Sequence, residues 1–361
     1  MFLPVLGVAL ATLLFSAAWV RAQEVAGGIP WQSRQVCENG LIADSGGQVI
    51  GVAQPAWSSP DAGLSVPYEP GAAGRCGCGP WDTGPAEEAG ISSDFDFEGQ
   101  GLGFVRGFSV FGGVQGFRTP ADLSHSGNFG IHEGLNYGGP LGDPWDYLGF
   151  QVGADDAQSN FTGDEASGAP ARVRNQVFLT GGLFHRAIGD GWQSGVTFDY
   201  LHDDYYPHAD LKLVRSETAY VFDTWHEVGY WGAYAVGGGP INITARLTTF
   251  LEPNDLFHVF YRRHFTGGGQ GRVWLGISGR SDFLFGADCT VPLGTDWALE
   301  NNFAFLLPQQ GLGAAGQDRE VWSVSIQLVW YPGRASRWIF CDPWQPVLSV
   351  ADNSVFMVNR R

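Results

Sequence analysis

The chain has 361 residues, a formal net charge of −17, 53 glycines and 14% aromatic side chains, and Lys212 is its one lysine. So acidic a chain offers nucleic acid no basic footprint, and beyond Ala22 no apolar run reaches the roughly 18 residues of a membrane helix. No convincing helical stretch interrupts the pattern described below, which excludes a βαβ enzyme.

Residues Phe2 to Val20 are almost wholly apolar and lead into Val20-Arg21-Ala22, small or modest side chains at the positions a signal peptidase reads. This predicts a signal peptide over 1–22, although the first residues lack Lys or Arg; the alternative is an uncleaved anchor. Residues 23–99 are rich in Gly, Pro, Ala and Ser, with isolated Trp31, Trp57 and Trp81. They read as an irregular segment, periplasmic or entering a lumen as a plug. Cys37 and Cys76-Gly-Cys78 lie here, and a disulfide from Cys37 to one of the pair is preferred to a metal site, since no His or second Cys pair accompanies them.

From about Gly107 a period of two begins, the alternation of a strand with unlike faces. Phe129, Ile131, Leu135 and Tyr137 oppose His132 and Asn136; Leu148, Phe150, Val152 and Ala154 share a face. Val173, Val177, Leu179 and Leu183 oppose Arg174, Gln176, Thr180 and Arg186. Trp192, Val196, Phe198 and Tyr200 oppose Gln193, Thr197 and Asp199. Leu211 to Phe222 is a poorer strand. Val228, Tyr230, Tyr234 and Val236 follow, then a strand over Ile241 to Leu251 with Arg246 inward, and Leu256 to Phe265 with an ambiguous face. Val273, Leu275 and Ile277 form the next face. Phe283, Phe285, Ala287, Cys289 and Val291 oppose Asp288; Trp297, Leu299, Phe303, Phe305 and Leu307 oppose Glu300 and Asn302. The last strand, Glu320 to Tyr331, sets Trp322, Val324, Ile326, Leu328 and Trp330 against Ser323, Ser325 and Gln327 before a Pro332-Gly333 turn.

Apolar outside, polar inside and rings at the ends make the repeat of a membrane barrel. The expected fold is all-β, an antiparallel up-and-down transmembrane β-barrel of about 12 strands over 100–333, with a tail over 334–361. Arg174, Asp199, Arg215, Glu217, Glu227, Arg246, Asp288, Glu300 and Gln327 are the lumen-facing candidates. Their mixed signs can bridge a narrow lumen, which argues against an open general porin. Trp145, Trp192, Tyr220, Trp297, Trp322 and Trp330 are the girdle candidates, because amphipathic rings settle at headgroup level. Glu133, on a face with Phe129 and Ile131, and Asn301, on a face with Phe303, run against the pattern. A soluble secreted β-sandwich is the competing architecture, since sandwiches alternate too.

Little chemistry is selected. His202-Asp203-Asp204 with Tyr205, Tyr206 and His208 is the densest ligand-like cluster, and reads as a polar loop between strands rather than a cation site. Arg262-Arg263-His264 reads as a solvated strand end. A Ser–His lipid hydrolase built on a barrel is a further alternative, but no spacing picks out a set. No catalytic residue, cofactor or metal is expected.

Phe129-Gly-Ile-His-Glu-Gly-Leu-Asn-Tyr-Gly-Gly-Pro-Leu141, Gly149-Phe-Gln-Val-Gly153, Gln158-Ser-Asn-Phe161, Arg174-Asn-Gln-Val-Phe-Leu179, Phe198-Asp-Tyr-Leu-His-Asp-Asp-Tyr205 and Pro346-Val-Leu-Ser-Val-Ala-Asp-Asn353 together resemble uncharacterised planctomycete outer-membrane-type β-barrel proteins of a domain-of-unknown-function family. The resemblance spans about residues 105 to 355. It implies export and a barrel in a Gram-negative type of envelope, and brings no activity or site residue. The expectation is a non-enzymatic outer-membrane protein with porin-like limited passage or a structural or surface role. Its expected partners are outer-membrane lipid and the barrel-assembly machinery, with no nucleic acid and the oligomeric state open.

Overall fold

The computed structural model describes strands at 35–36, 41–43 and 49–52, and then residues 107–119, 127–145, 147–161, 173–205, 208–244, 247–308 and 320–360. Two compact units divide the chain, residues 1–89 and 90–361. In the first, β1 (Gln35–Val36), β2 (Leu41–Ala43) and β3 (Val49–Val52) form an antiparallel sheet. Runs this short cannot display a period, so the sequence reads there as irregular. The leader, the pairing of Cys37, Cys76 and Cys78, and the plug reading of 23–99 fall on residues outside those described.

The second unit is built from β4 (Phe108–Arg118), β5 (Asn128–Pro140), β6 (Gly149–Ser159), β7 (Arg174–His185), β8 (Gly191–Asp204), β9 (His208–Phe222) and β10 (His226–Gly237). An excursion follows, β11 (Gly239–Thr244) and β12 (Leu247–Pro253). Then come β13 (Leu256–His264), β14 (Gln270–Ser278), β15 (Phe283–Pro292), β16 (Trp297–Leu307), β17 (Val321–Trp330) and a short β18 (Val358–Arg360). Strands β4–β10 and β13–β17 make one closed antiparallel ring of twelve; β17 meets β4 from Trp322 opposite Arg118 to Trp330 opposite Val110. The ring is an up-and-down barrel of the transmembrane type, and its closure overturns the β-sandwich alternative. Every ladder is completed within the ring, the condition for backbone to sit in hydrocarbon.

One expected strand is corrected. Ile241 to Leu251 is not a stave of the barrel. β11 and β12 form a hairpin that joins β18 in a separate three-stranded sheet, and Arg246 lies between them outside the described residues, so its inward placement is not retained. The chain leaves the ring at Gly237-Gly-Gly-Pro240: the ladder with β9 slips between Ala235 and Gly237, and a proline cannot donate to a ladder.

Connections 141–148, 186–190, 223–225, 265–269 and 293–296 lie at one end of the barrel, here the turn end, where β17 also finishes. The strand ends at Arg118, Ser159, Asp204, Gly237, Ser278 and Leu307 lie at the opposite end, here the loop end. Outward positions carry the apolar alternation: Phe129, Ile131 and Leu135 on β5, Val196 and Phe198 on β8, Val259 on β13, Leu275 on β14, and Ile326 and Leu328 on β17 are all exposed. On β17 the belt runs from Trp322 to Trp330, about 26 Å along the strand and roughly 20 Å along the barrel axis for a usual tilt. That is close to the thickness of an outer-membrane apolar band.

Candidate functional site: the lumen and the C-terminal segment within it

The inward positions meet one another across the ring. Arg215 and Asp199, both essentially inaccessible, form a two-pronged ion pair with Nε–Oδ2 at 2.7 Å and Nη2–Oδ1 at 2.8 Å. Asp199 also accepts from the hydroxyls of Thr180 and Thr197. Arg174 pairs with Asp203 from β8, its Nε donating at 3.0 Å. Glu217 on β9 takes both Arg262 of β13 and Arg272 of β14 at 3.0 Å; Arg262 reaches on to Glu227 at 2.6 Å, and Arg272 to Asp288 at 2.6 Å. β9 and β14 are not neighbours in the ring, so this network crosses its interior. Glu300 accepts from the Gln327 amide at 3.0 Å and the Tyr331 hydroxyl at 2.7 Å. Of the nine candidates, eight therefore lie inward with these partners, and Arg246 alone has no described position.

Strict alternation also splits the two clusters that looked local in the sequence. Asp203 turns in to Arg174, whereas His202 and Asp204 turn out, to Asp210 and His208 at 2.8 and 2.9 Å. Arg262 and His264 are buried among the inward charges, and only Arg263 is exposed, which corrects the solvated-strand-end reading. β13 was ambiguous because both faces mix rings with polar groups: His258, Phe260, Arg262 and His264 inward, Phe257, Val259, Tyr261 and Arg263 outward. His258 lies inside, between the Trp231 and Trp274 indoles, with centroids 4.6 and 5.3 Å away.

The lumen is occupied by the chain's own C-terminus. After β17 the Ser336–Cys341 3-10 turn closes the turn end, where Phe340 stacks on His264 at 4.3 Å and Arg334 donates to the Phe108 carbonyl at 2.8 Å. Arg186 then holds the carbonyls of Phe340, Gln345 and Pro346 at 3.1–3.3 Å. Deeper in, Gln151 of β6 donates to the Leu348 carbonyl and Arg215 of β9 to that of Ser349, both at 2.8 Å. The Ala351 amide donates to the Thr180 hydroxyl of β7 at 2.9 Å. Asn353 donates to Gln115 of β4 and Gln176 of β7 at 3.1 and 3.0 Å, and Asn302 of β16 donates to Ser354 at 3.0 Å. At the loop end the Asn254 amide donates to the Met357 carbonyl, and β18 pairs with β12 from Val358 opposite Pro253 to Arg360 opposite Leu251. The segment thus runs from one mouth to the other.

Its packing changes with depth. Toward the turn end the wall is polar, and a cavity of about 50 Å³ among Arg186, Arg262, Gln270, Thr290 and Glu300 has room for a water or two. Toward the loop end Val355, Phe356, Met357 and Val358 join Phe178, Leu201, Leu211, Leu213, Leu256 and Leu306 in one buried apolar cluster. The rule of a polar interior fails there, which is why β9 reads as a poor strand: Leu211 and Leu213 face the segment, not lipid. Gly138 and Gly153 make room for it, since a Cβ would run into the Trp344 carbonyl at the first and Val350 at the second. None of this could be read from strand periodicity. The remaining sequence signals were the count of glycines on the inner face and the uncharged run Pro343 to Ala351.

Five of the six girdle rings, Trp145, Trp192, Tyr220, Trp297 and Trp330, are exposed, and Trp322 is half-buried. Trp192 meets Tyr220 edge-on at 5.3 Å and Trp297 stacks on Trp330 at 6.1 Å. The Trp330 indole donates to Asp296 in the turn at 2.8 Å, and this bond holds the carboxyl below its ordinary range. Glu133 faces outward opposite Asp156, and Asn301 opposite Ile326 and Cys289, so both exceptions are real features of the outer face.

A family described as a family of unknown function (DUF6666) matches residues 107–358. No curated protein matches the chain. Among solved structures, outer membrane phospholipase A from Escherichia coli is 8% identical, with 62% of this chain and 91% of that one covered and a TM-score of 0.35. The translocator domain of the autotransporter NalP from Neisseria meningitidis is 12% identical, covering 65% and 95%, with a TM-score of 0.33. An anion-selective porin from Comamonas acidovorans is 10% identical, covering 62% and 98%, with a TM-score of 0.26. Similarities this distant say nothing about activity.

Proposed function

Since the chain belongs to the DUF6666 family of unknown function, which brings no activity with it, we propose from its own geometry that it is an outer-membrane barrel sealed by its C-terminus, with a non-enzymatic, structural or surface-interaction role. The observation that carries this reading is the continuous occupation of the lumen by residues 331–360, bonded to strands on several sides of the ring. The exposed apolar belt is the surface that outer-membrane lipid covers, and assembly by the barrel-assembly machinery goes with it. Residues 1–22 act as the cleaved export signal, and the motifs in Phe129–Leu141 and Pro346–Asn353 make a planctomycete envelope the proposed setting.

Histidine use supports a non-enzymatic role. The described histidines bond carboxylates, a tyrosine or a backbone carbonyl, or stack on rings: His132 with Asp155, His202 with Asp210, His208 with Asp204, His226 with Tyr261, His185 with the Tyr147 carbonyl, His264 on Phe340, and His258 between tryptophans. Among the described residues none of these contacts joins a histidine to a serine, threonine or cysteine, the pairing a hydrolase of that kind needs.

Planar-bilayer recording tests the proposal. The intact protein gives no steady conductance, and a chain ended after Cys341 conducts; steady conductance from the intact protein refutes the seal. Limited solute passage is the second reading, and one observation favours it. The ion pairs of the Glu227–Arg262–Glu217–Arg272–Asp288 network are made between wall strands alone, so a charged constriction remains when the segment is withdrawn.

A further inference from the structure

At the loop-end rim a cleft of about 270 Å³ lies between the start of β9 and the β10–β11 connection, lined by His208, Asp210, Lys212 and residues 237–240. Lys212 stands opposite Tyr200 of β8 on one side and Gly237 of β10 on the other. At this level the outer face of β8 changes character. Toward the turn end it presents Phe198, Val196 and Trp192; toward the loop end, His202 and Asp204. Tyr200 is as many residues from Trp192 as Trp322 is from Trp330, so the row marks the edge of the belt, where headgroups begin.

The charges are arranged unequally. Asp210 accepts from the Tyr200 hydroxyl at 2.5 Å and lies 2.8 Å from His202, and Asp204 lies 2.9 Å from His208. Lys212, the single lysine of a chain at −17, has no ion-pair partner among the described residues. Its stem lies along Gly237, where an added Cβ would stand 3.4 Å from Lys212 Cδ. An apolar stem laid on the wall with an unpaired ammonium at the membrane edge suits a phosphate group. Asp210 and Asp204 stand beyond it on the water side, where they suit a cation.

We propose that this cleft binds the headgroup of an ammonium-bearing phospholipid, with Lys212 on the phosphate and Asp210 on the amine. The assignment rests on the membrane reading above.

The test titrates short-chain phosphatidylethanolamine, diacylglycerol and inorganic phosphate into the delipidated, detergent-purified full-length protein, read by native mass spectrometry. Saturable binding of phosphatidylethanolamine is expected, weakened about tenfold in Lys212→Gln, as for loss of one hydrogen bond to a charged group. It is unchanged in Arg263→Gln, which alters an exposed charge at the turn end. Gly239→Leu is a second variant: a Cβ there meets nothing within 4 Å, so the side chain fills the cleft and weakens binding with Lys212 intact. A heat-shifted gel band from each variant verifies a closed barrel, which separates failure of this site from failure of the membrane reading. Unchanged binding in Lys212→Gln, equal binding of diacylglycerol, or capture of inorganic phosphate without preference for lipid each overturns the proposal.

Discussion

Asp199 is a residue whose loss the interior tolerates poorly. It satisfies the Arg215 guanidinium and two threonine hydroxyls in a space closed to water, and Arg215 in turn holds the Ser349 carbonyl. Asp199→Ala leaves a buried guanidinium without its counter-charge, a loss of about 3–5 kcal/mol. Urea unfolding of the folded barrel in lipid vesicles should show a drop of this size, together with faster proteolysis of the C-terminal segment. Asn353→Ala is milder. It strands the amide oxygens of Gln115 and Gln176, which costs about 1–3 kcal/mol, and the same unfolding assay should place it below Asp199→Ala. Asp199 was legible as an inward charge from alternation alone, whereas Asn353 was not, since it belongs to no strand.

At the scale of the element, β17 shows why alternation served so well. Its outer residues touch a uniform medium, so every second position obeys one rule. Ile326 is midway between Trp322 and Trp330, and Ile326→Arg should oppose folding into vesicles by about 2–4 kcal/mol, against roughly 0–1 kcal/mol for Trp330→Arg at the edge. Equal penalties at the two depths would deny that the belt lies in lipid. The inner faces obey no such rule, because they touch a polar network at one end and apolar side chains at the other. β13 was ambiguous and β9 poor for this reason. The hairpin of β11 and β12 was misread as a stave because a strand capping a mouth alternates like one in the wall. The C-terminal segment is itself an element, and ending the chain after Cys341 should turn a silent barrel into a conducting one.

For the whole molecule, a closed ring with an apolar belt predicts recovery only in detergent and a gel band that shifts on boiling. Recovery without detergent would remove the membrane from the account. The sequence by itself determined the all-β class, the near-twelve strand count and the outward face of the strands that alternate cleanly, such as β5, β8 and β17. Those follow from a local period imposed by one surrounding medium. Only the tertiary structure decided what fills the lumen, which inward charges pair, and which segment leaves the ring. Such contacts join residues as distant as Gln115 and Asn353, and no local pattern specifies a partner more than two hundred residues away.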